Sequence, residues 1–187
     1  MCLPNFIPFV RLLLAPVFII LFLHGSVACR LAALIILISG EVACLLDGYL
    51  AKKPGNSSST NHLLRQLADN IFHFSVFLAL LQLGYAQLWM IAVIFYQESF
   101  ASWLRVMAAA KDRAVRHYFG GLIKQWIQGI ACITIVALVT CQNWFSVQHL
   151  DQIIFVVMTV TTVATAYIGM EYCLGNFVVL AGDDKRS

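Results

Sequence analysis

Residues 45–70, LLDGYLAKKPGNSSSTNHLLRQLADN, form a polar, glycine-bearing stretch between two long apolar runs, with Asp47 and Asp69 close to the points where it enters them. Arg65 stands about one helical turn before Asp69. Carboxylates at the mouths of apolar segments are expensive unless a partner or a function holds them there. The surrounding composition sets the class: 61% of the 187 residues are apolar and 11% charged, and the mean hydropathy is +0.84. Those values lie far outside the soluble range and define an all-α integral membrane protein.

A bilayer span needs about 20 residues, so the length allows about six helices in one membrane domain over residues 1–187. Apolar run length and polar breaks place the spans at about 6–24, 28–50, 67–86, 88–109, 118–141 and 152–180. The breaks HGSVACR, GYAQ, AKDRAVRH, CQNWFSVQHLD and the opening stretch are too short for a second domain. Arg11, an apolar run and GSVAC imitate a signal peptide, but more membrane segments follow rather than a secreted domain. Cys2, Cys29, Cys44, Cys132, Cys141 and Cys173 show no paired spacing and read as small apolar fillers.

With six spans, both termini and the 45–70 stretch share a side. That side carries Lys52, Lys53, Arg65, Lys111, Arg113, Arg116, Lys185 and Arg186, against Arg30 on the other. The positive-inside rule makes it the cytoplasmic side, so the NSS at Asn56 is a chance glycosylation match. Orientation and anionic lipid head groups account for the net charge of +3 without a nucleic-acid partner. Ionisable residues within the spans (Arg11, Glu41, Asp47, Asp69, Glu98, Arg105, Lys124 and Glu171) gather toward the cytoplasmic ends. Their clustering points to a polar cavity open to that leaflet rather than a path across the membrane, which disfavours a transporter or channel.

Residues 44–69 resemble the signature of the CDP-alcohol phosphatidyltransferase family, D-x-x-D-G-x-x-A-R, eight residues, then G-x-x-x-D-x-x-x-D. Asp47, Gly48, Ala51 and Asp69 fall on signature positions without a gap. Cys44 replaces the first aspartate, Lys52 the arginine, Asn61 the second glycine and Arg65 the third aspartate, so the motif is degenerate. NFIPFVRLLLAP, residues 5–16, is similar to the first helix of the phosphatidylglycerophosphate synthase branch at Asn5, Arg11 and Pro16, with Pro8 in place of Thr or Ser. Glu98 and Arg105 keep that branch's fourth-helix spacing, with Gln97 in place of an arginine. GLIKQWIQ retains Gly121, Lys124 and Gln128. The resemblance runs from about residue 5 to residue 130.

The resemblance implies a six-helix membrane bundle in the bacterial inner (cell) membrane, assembled as a homodimer. The implied reaction is transfer of a phosphatidyl group from CDP-diacylglycerol to glycerol 3-phosphate with release of CMP. In the family's scheme the first three aspartates share two Mg or Mn ions and the fourth takes the hydroxyl proton, which gives Asp69 the general-base position. Asp47 and Asp69 are the residual metal ligands. Gly48, Ala51, Lys52, Arg105, Arg113 and Lys124 are the candidates for nucleotide, phosphate or head-group binding.

Against that scheme, Cys44 is a poor ligand for a hard cation, and Arg65 places a permanent positive charge where metals belong. Arg65 either bridges Asp47 and Asp69 in place of metal or points to cytoplasmic water among the other basic residues. Glu41, one turn before Cys44, lies about 9 Å of helix rise from Asp47, too far to replace a ligand readily. His73 and His62, close to Asp69 and Arg65, admit a His-carboxylate metal site, though a lone interfacial His more commonly makes an ordinary hydrogen bond. Trp89, Trp144, Tyr85 and Tyr118 read as interfacial belt. Two functions stand: a synthase-like enzyme of weak or altered activity, and a non-catalytic lipid-binding or partner-binding relative.

Overall fold

The computed structural model describes residues 6–50, 59–110, 119–142 and 149–181, with side chains described at 8–44, 64–107, 123–142 and 149–176. These residues form six helices: α1 (Phe6–His24), α2 (Val27–Leu50), α3 (Ser59–Gln82), α4 (Leu88–Ala110), α5 (Phe119–Cys141) and α6 (Leu150–Ala181). No strand occurs among the described residues. α1 continues through Pro16. A membrane helix tolerates the lost backbone donor because neighbouring helices surround it.

The turns have local causes. Gly25 takes φ 81° after α1, and the Ser26 hydroxyl accepts the Cys29 amide at 3.2 Å, capping the first turn of α2. α3 departs from the expected 67–86 at both ends. It begins at Ser59, because the largely polar stretch from Asn61 to Gln66 is itself helical, which apolar run length does not register. It stops at Gln82 because Gly84 takes φ 79°. There the Tyr85 amide donates to Leu80 O at 2.9 Å and the Gly84 amide to Leu81 O at 3.0 Å, the paired bonds of a Schellman cap. Beyond the cap, Trp89 Nε1 donates to Gln87 Oε1 at 2.5 Å and Tyr85 Oη to Gln142 Oε1 at 3.2 Å. Both aromatics thus sit at a bundle end, whereas Trp144 and Tyr118 lie outside the described residues.

The helices form a closed circuit. α1 packs on α2 and α3, α2 on α5, α5 on α6, α6 on α4 and α4 on α3, while α3 and α5 also touch each other. The end of the bundle that holds the α1–α2 and α3–α4 turns is packed with apolar side chains: Phe18, Phe22, Leu37, Val76, Phe77, Leu80, Met90, Ile135 and Ile154 are all fully buried. At the opposite end, Arg11, Asp69, His73, Lys124, Gln128 and Thr165 are buried. Outward, Leu13, Ile20, Ile35, Val160 and Val163 are exposed. Apolar outside and polar within inverts the soluble pattern and is the arrangement of an integral membrane protein.

By length and composition three helices are apolar enough to cross a membrane, within Val27–Cys44, Ile123–Cys141 and Leu150–Asn176. α3 and α4 carry Asp69, His73, Gln97, Glu98 and Arg105, whose polarity lowers the average of helices that are otherwise long.

Candidate functional site

Asp69 sits 3% exposed on α3, where α1, α2 and α5 also converge. Its Oδ1 forms an ion pair with Arg11 Nη1 of α1. Its Oδ2 accepts the Cys44 thiol of α2 at 3.2 Å and Gln125 Nε2 of α5 at 2.5 Å. Gln125 Nε2 also lies 3.1 Å from Cys44 Sγ. Four helices are therefore tied to one carboxylate.

Arg11 is 1% exposed, and its fork spans two helices, since Nη2 lies 3.8 Å from Glu41 Oε1 on α2. The same oxygen is 2.7 Å from His73 Nε2, so α3 also reaches Glu41. The Arg11 Cζ lies 5.3 Å from the Phe72 ring centroid, a cation–π distance. Gly40 makes room for this stack: a methyl there would come within 3.0 Å of the Phe72 ring and 3.8 Å of Arg11 Nε. Gly129 makes room for Glu41, whose Oε2 would be 2.8 Å from a methyl on α5.

A second charged group lies between α4, α5 and α6. Lys124 Nζ meets Glu98 Oε1 at 2.6 Å, with both side chains largely buried. Arg105 donates Nε to Ala101 O at 3.0 Å, and its Cζ lies 5.7 Å from the Tyr172 ring centroid. Gln128 Nε2 reaches Thr165 Oγ1 at 3.4 Å.

Of the residues singled out in the sequence, Cys44 and Asp69 are brought together, and Lys124 and Arg105 border the second group. Asp47 and Gly48 lie on the last turns of α2 and Asn61 on the first turn of α3, but their side chains are outside the described set. Ala51, Lys52, Arg113 and His62 are outside it as well. A bridge from Arg65 to Asp47 lies beyond the described side chains; the ionic partner of Asp69 among the described residues is Arg11. His73 bonds to Glu41 rather than joining a metal cluster, and no group of three or more His, Cys, Asp or Glu is poised for a metal among the described residues. Gln125 is a site residue that sequence reasoning missed. Its signal is its three-residue spacing from Gln128, which puts two amides on neighbouring parts of one face of an apolar helix.

A model of the family described as CDP-alcohol phosphatidyltransferase matches residues 1–168, and the chain belongs to that family. It is similar to the CDP-diacylglycerol–glycerol-3-phosphate 3-phosphatidyltransferase of Bacillus subtilis (strain 168), with 30% identity over 141 residues, 69% of this chain and 73% of the relative. It is also similar to the probable phosphatidylglycerophosphate synthase of Mycobacterium tuberculosis (strain CDC 1551 / Oshkosh), with 26% identity over 132 residues, 69% of this chain and 63% of that relative.

The family generally uses divalent metal, and the described residues do not fit one. A thiol occupies the first signature position and a guanidinium side chain the third. The groups touching Asp69 offer it hydrogens and positive charge rather than oxygen lone pairs.

Proposed function

We propose that this protein serves phospholipid metabolism as a phosphatidylglycerophosphate-synthase-like member of its family. It binds CDP-diacylglycerol in the polar half of a six-span bundle facing the cytoplasm and transfers the phosphatidyl group to glycerol 3-phosphate, releasing CMP. A homodimer, as the resemblance implies, belongs to this reading. The observation that carries it is the burial of Asp69, on the family's general-base position, at the junction of α1, α2, α3 and α5. Asp69 would accept the hydroxyl proton of the acceptor. Arg105, and Lys124 once released from Glu98, are the cations suited to a phosphate at the same end of the bundle.

A second reading has an observation in its favour. Both oxygens of Asp69 are engaged within the protein, as expected of a non-catalytic relative that keeps the lipid-binding cavity. One experiment separates the two: purified protein in mixed micelles is given labelled CDP-diacylglycerol and glycerol 3-phosphate, with and without Mg or Mn, and both bound lipid and released CMP are followed. CMP release lost in Asp69→Asn supports the enzyme. Saturable lipid binding with no CMP under any condition supports the second reading, and the absence of both sinks the assignment.

A further inference from the structure

Among the described residues, the immediate partners of Asp69 all satisfy an anion. Arg11 brings a full positive charge to Oδ1, and the Cys44 thiol and the Gln125 amide bring hydrogens to Oδ2. A divalent cation approaching either oxygen would meet a proton donor or a guanidinium already there. We infer that, with the Cys44 thiol standing in place of the first signature carboxylate, Arg11 supplies at Asp69 the charge balance that a divalent metal would otherwise share, closing the Asp69 site to Mg and Mn in the resting protein. The inference rests on Asp69 occupying the family's last signature position, and it concerns metal binding rather than turnover.

Three features show that Arg11 is housed there rather than passing by. Its fork is shared between Asp69 on α3 and Glu41 on α2, so it balances carboxylates from two helices. Its Cζ lies over the Phe72 ring, and Phe72 is itself fully buried and near Phe18. The bare backbone at Gly40 leaves the space that this stack fills. A guanidinium placed between two carboxylates and an aromatic ring cannot swing aside without leaving Asp69 to the neutral Cys44 and Gln125 donors, and Glu41 to His73, in a low-dielectric interior. The titratable groups next to these two carboxylates include His73, hydrogen-bonded to Glu41, and the Cys44 thiol, which donates to Asp69.

The test is Mn(II) binding by the full chain in detergent, read by loss of the free-ion electron paramagnetic resonance signal, together with thermal unfolding with and without Mn or Mg. Wild type is expected to leave the Mn signal undiminished and to unfold at the same temperature with or without metal. Arg11→Gln is expected to unfold about 6–20 °C lower, to bind Mn, and to regain part of the loss when Mn is added. If Arg11→Gln does not fold, the double variant Arg11→Gln/Asp69→Asn, in which the pair is neutral, carries the test. It is expected to recover most of the lost stability and to ignore Mn. Stoichiometric Mn binding by wild type that Asp69→Asn abolishes would overturn the inference, as would an Arg11→Gln protein that folds but does not respond to metal. So would a double variant no more stable than Arg11→Gln. CMP release without metal leaves the inference and the synthase reading both standing. Metal-dependent release with Mn bound to wild type keeps the synthase reading and removes the inference. No release and no metal binding does the reverse.

Discussion

The Glu98–Lys124 pair offers the sharpest energetic test of the second charged group. The charges meet at 2.6 Å with side-chain exposures of 13% and 9%. At an effective dielectric of about 20 that separation gives a gross attraction of about 6 kcal/mol, most of which offsets the cost of taking both ions out of water. Removing one partner therefore does more harm than the net worth of the pair, because the survivor stays buried without its counter-charge. Glu98→Gln or Lys124→Met alone is expected to destabilise by about 3–5 kcal/mol. In a chain of this size that is about 6–20 °C in unfolding temperature. Glu98→Gln/Lys124→Met removes both charges of the pair and is expected to recover at least about 2 kcal/mol relative to the sum of the single losses. The assay is thermal unfolding of the four proteins in one detergent, analysed as a double-mutant cycle. Additive losses, with no recovery in the double variant, would refute the reasoning and mean that the two charges do not depend on each other.

Three further outcomes can be checked by the same measurement. Gly40→Ala forces a methyl to 3.0 Å from the buried Phe72 ring, which Arg11 and Phe18 prevent from yielding; a loss of about 1–2 kcal/mol is expected despite the better helix propensity of alanine, and an unchanged or raised unfolding temperature would contradict it. Ser26→Ala removes the cap on the Cys29 amide and should cost about 1 kcal/mol, or about 2–4 °C; Ser26→Asn should retain most of that stability. Cys44→Asp/Arg65→Asp restores carboxylates at the first and third signature positions. It should gain thermal stabilisation by Mg or Mn, and a double variant as indifferent to metal as wild type would show that the spacing alone does not rebuild a metal site.

Membrane class, helical content and most helix limits are legible in the sequence because each is local. Composition decides the solvent, and the backbone bonds of a membrane helix close within a few residues of themselves. α1 begins and ends where its apolar run does, and α2 and α6 lie within two residues of theirs. The limits of α3 were not legible in the same way, because its first two turns are polar and helical at once and its end is set by a cap at Gly84 rather than by loss of apolarity. The family was also legible, since a signature with fixed spacing survives the replacement of half its members at Cys44, Lys52, Asn61 and Arg65.

What the linear chain determined by itself was therefore which residues are charged at membrane depth, and that Arg11, Glu41, Asp69, Glu98 and Lys124 each need a counterpart. Which counterpart each one takes was decided by the tertiary structure. Spacing along one helix favours Arg65 as the neighbour of Asp69, yet packing of α1 against α3 delivers Arg11 instead. Packing of α2 against α5 adds Gln125 beside Cys44. Periodicity reports the face on which a side chain lies, but not the rotation or depth at which another helix meets that face. An ion pair between helices exists only after both have been set by the packing of apolar side chains such as Phe18, Phe72 and Val76.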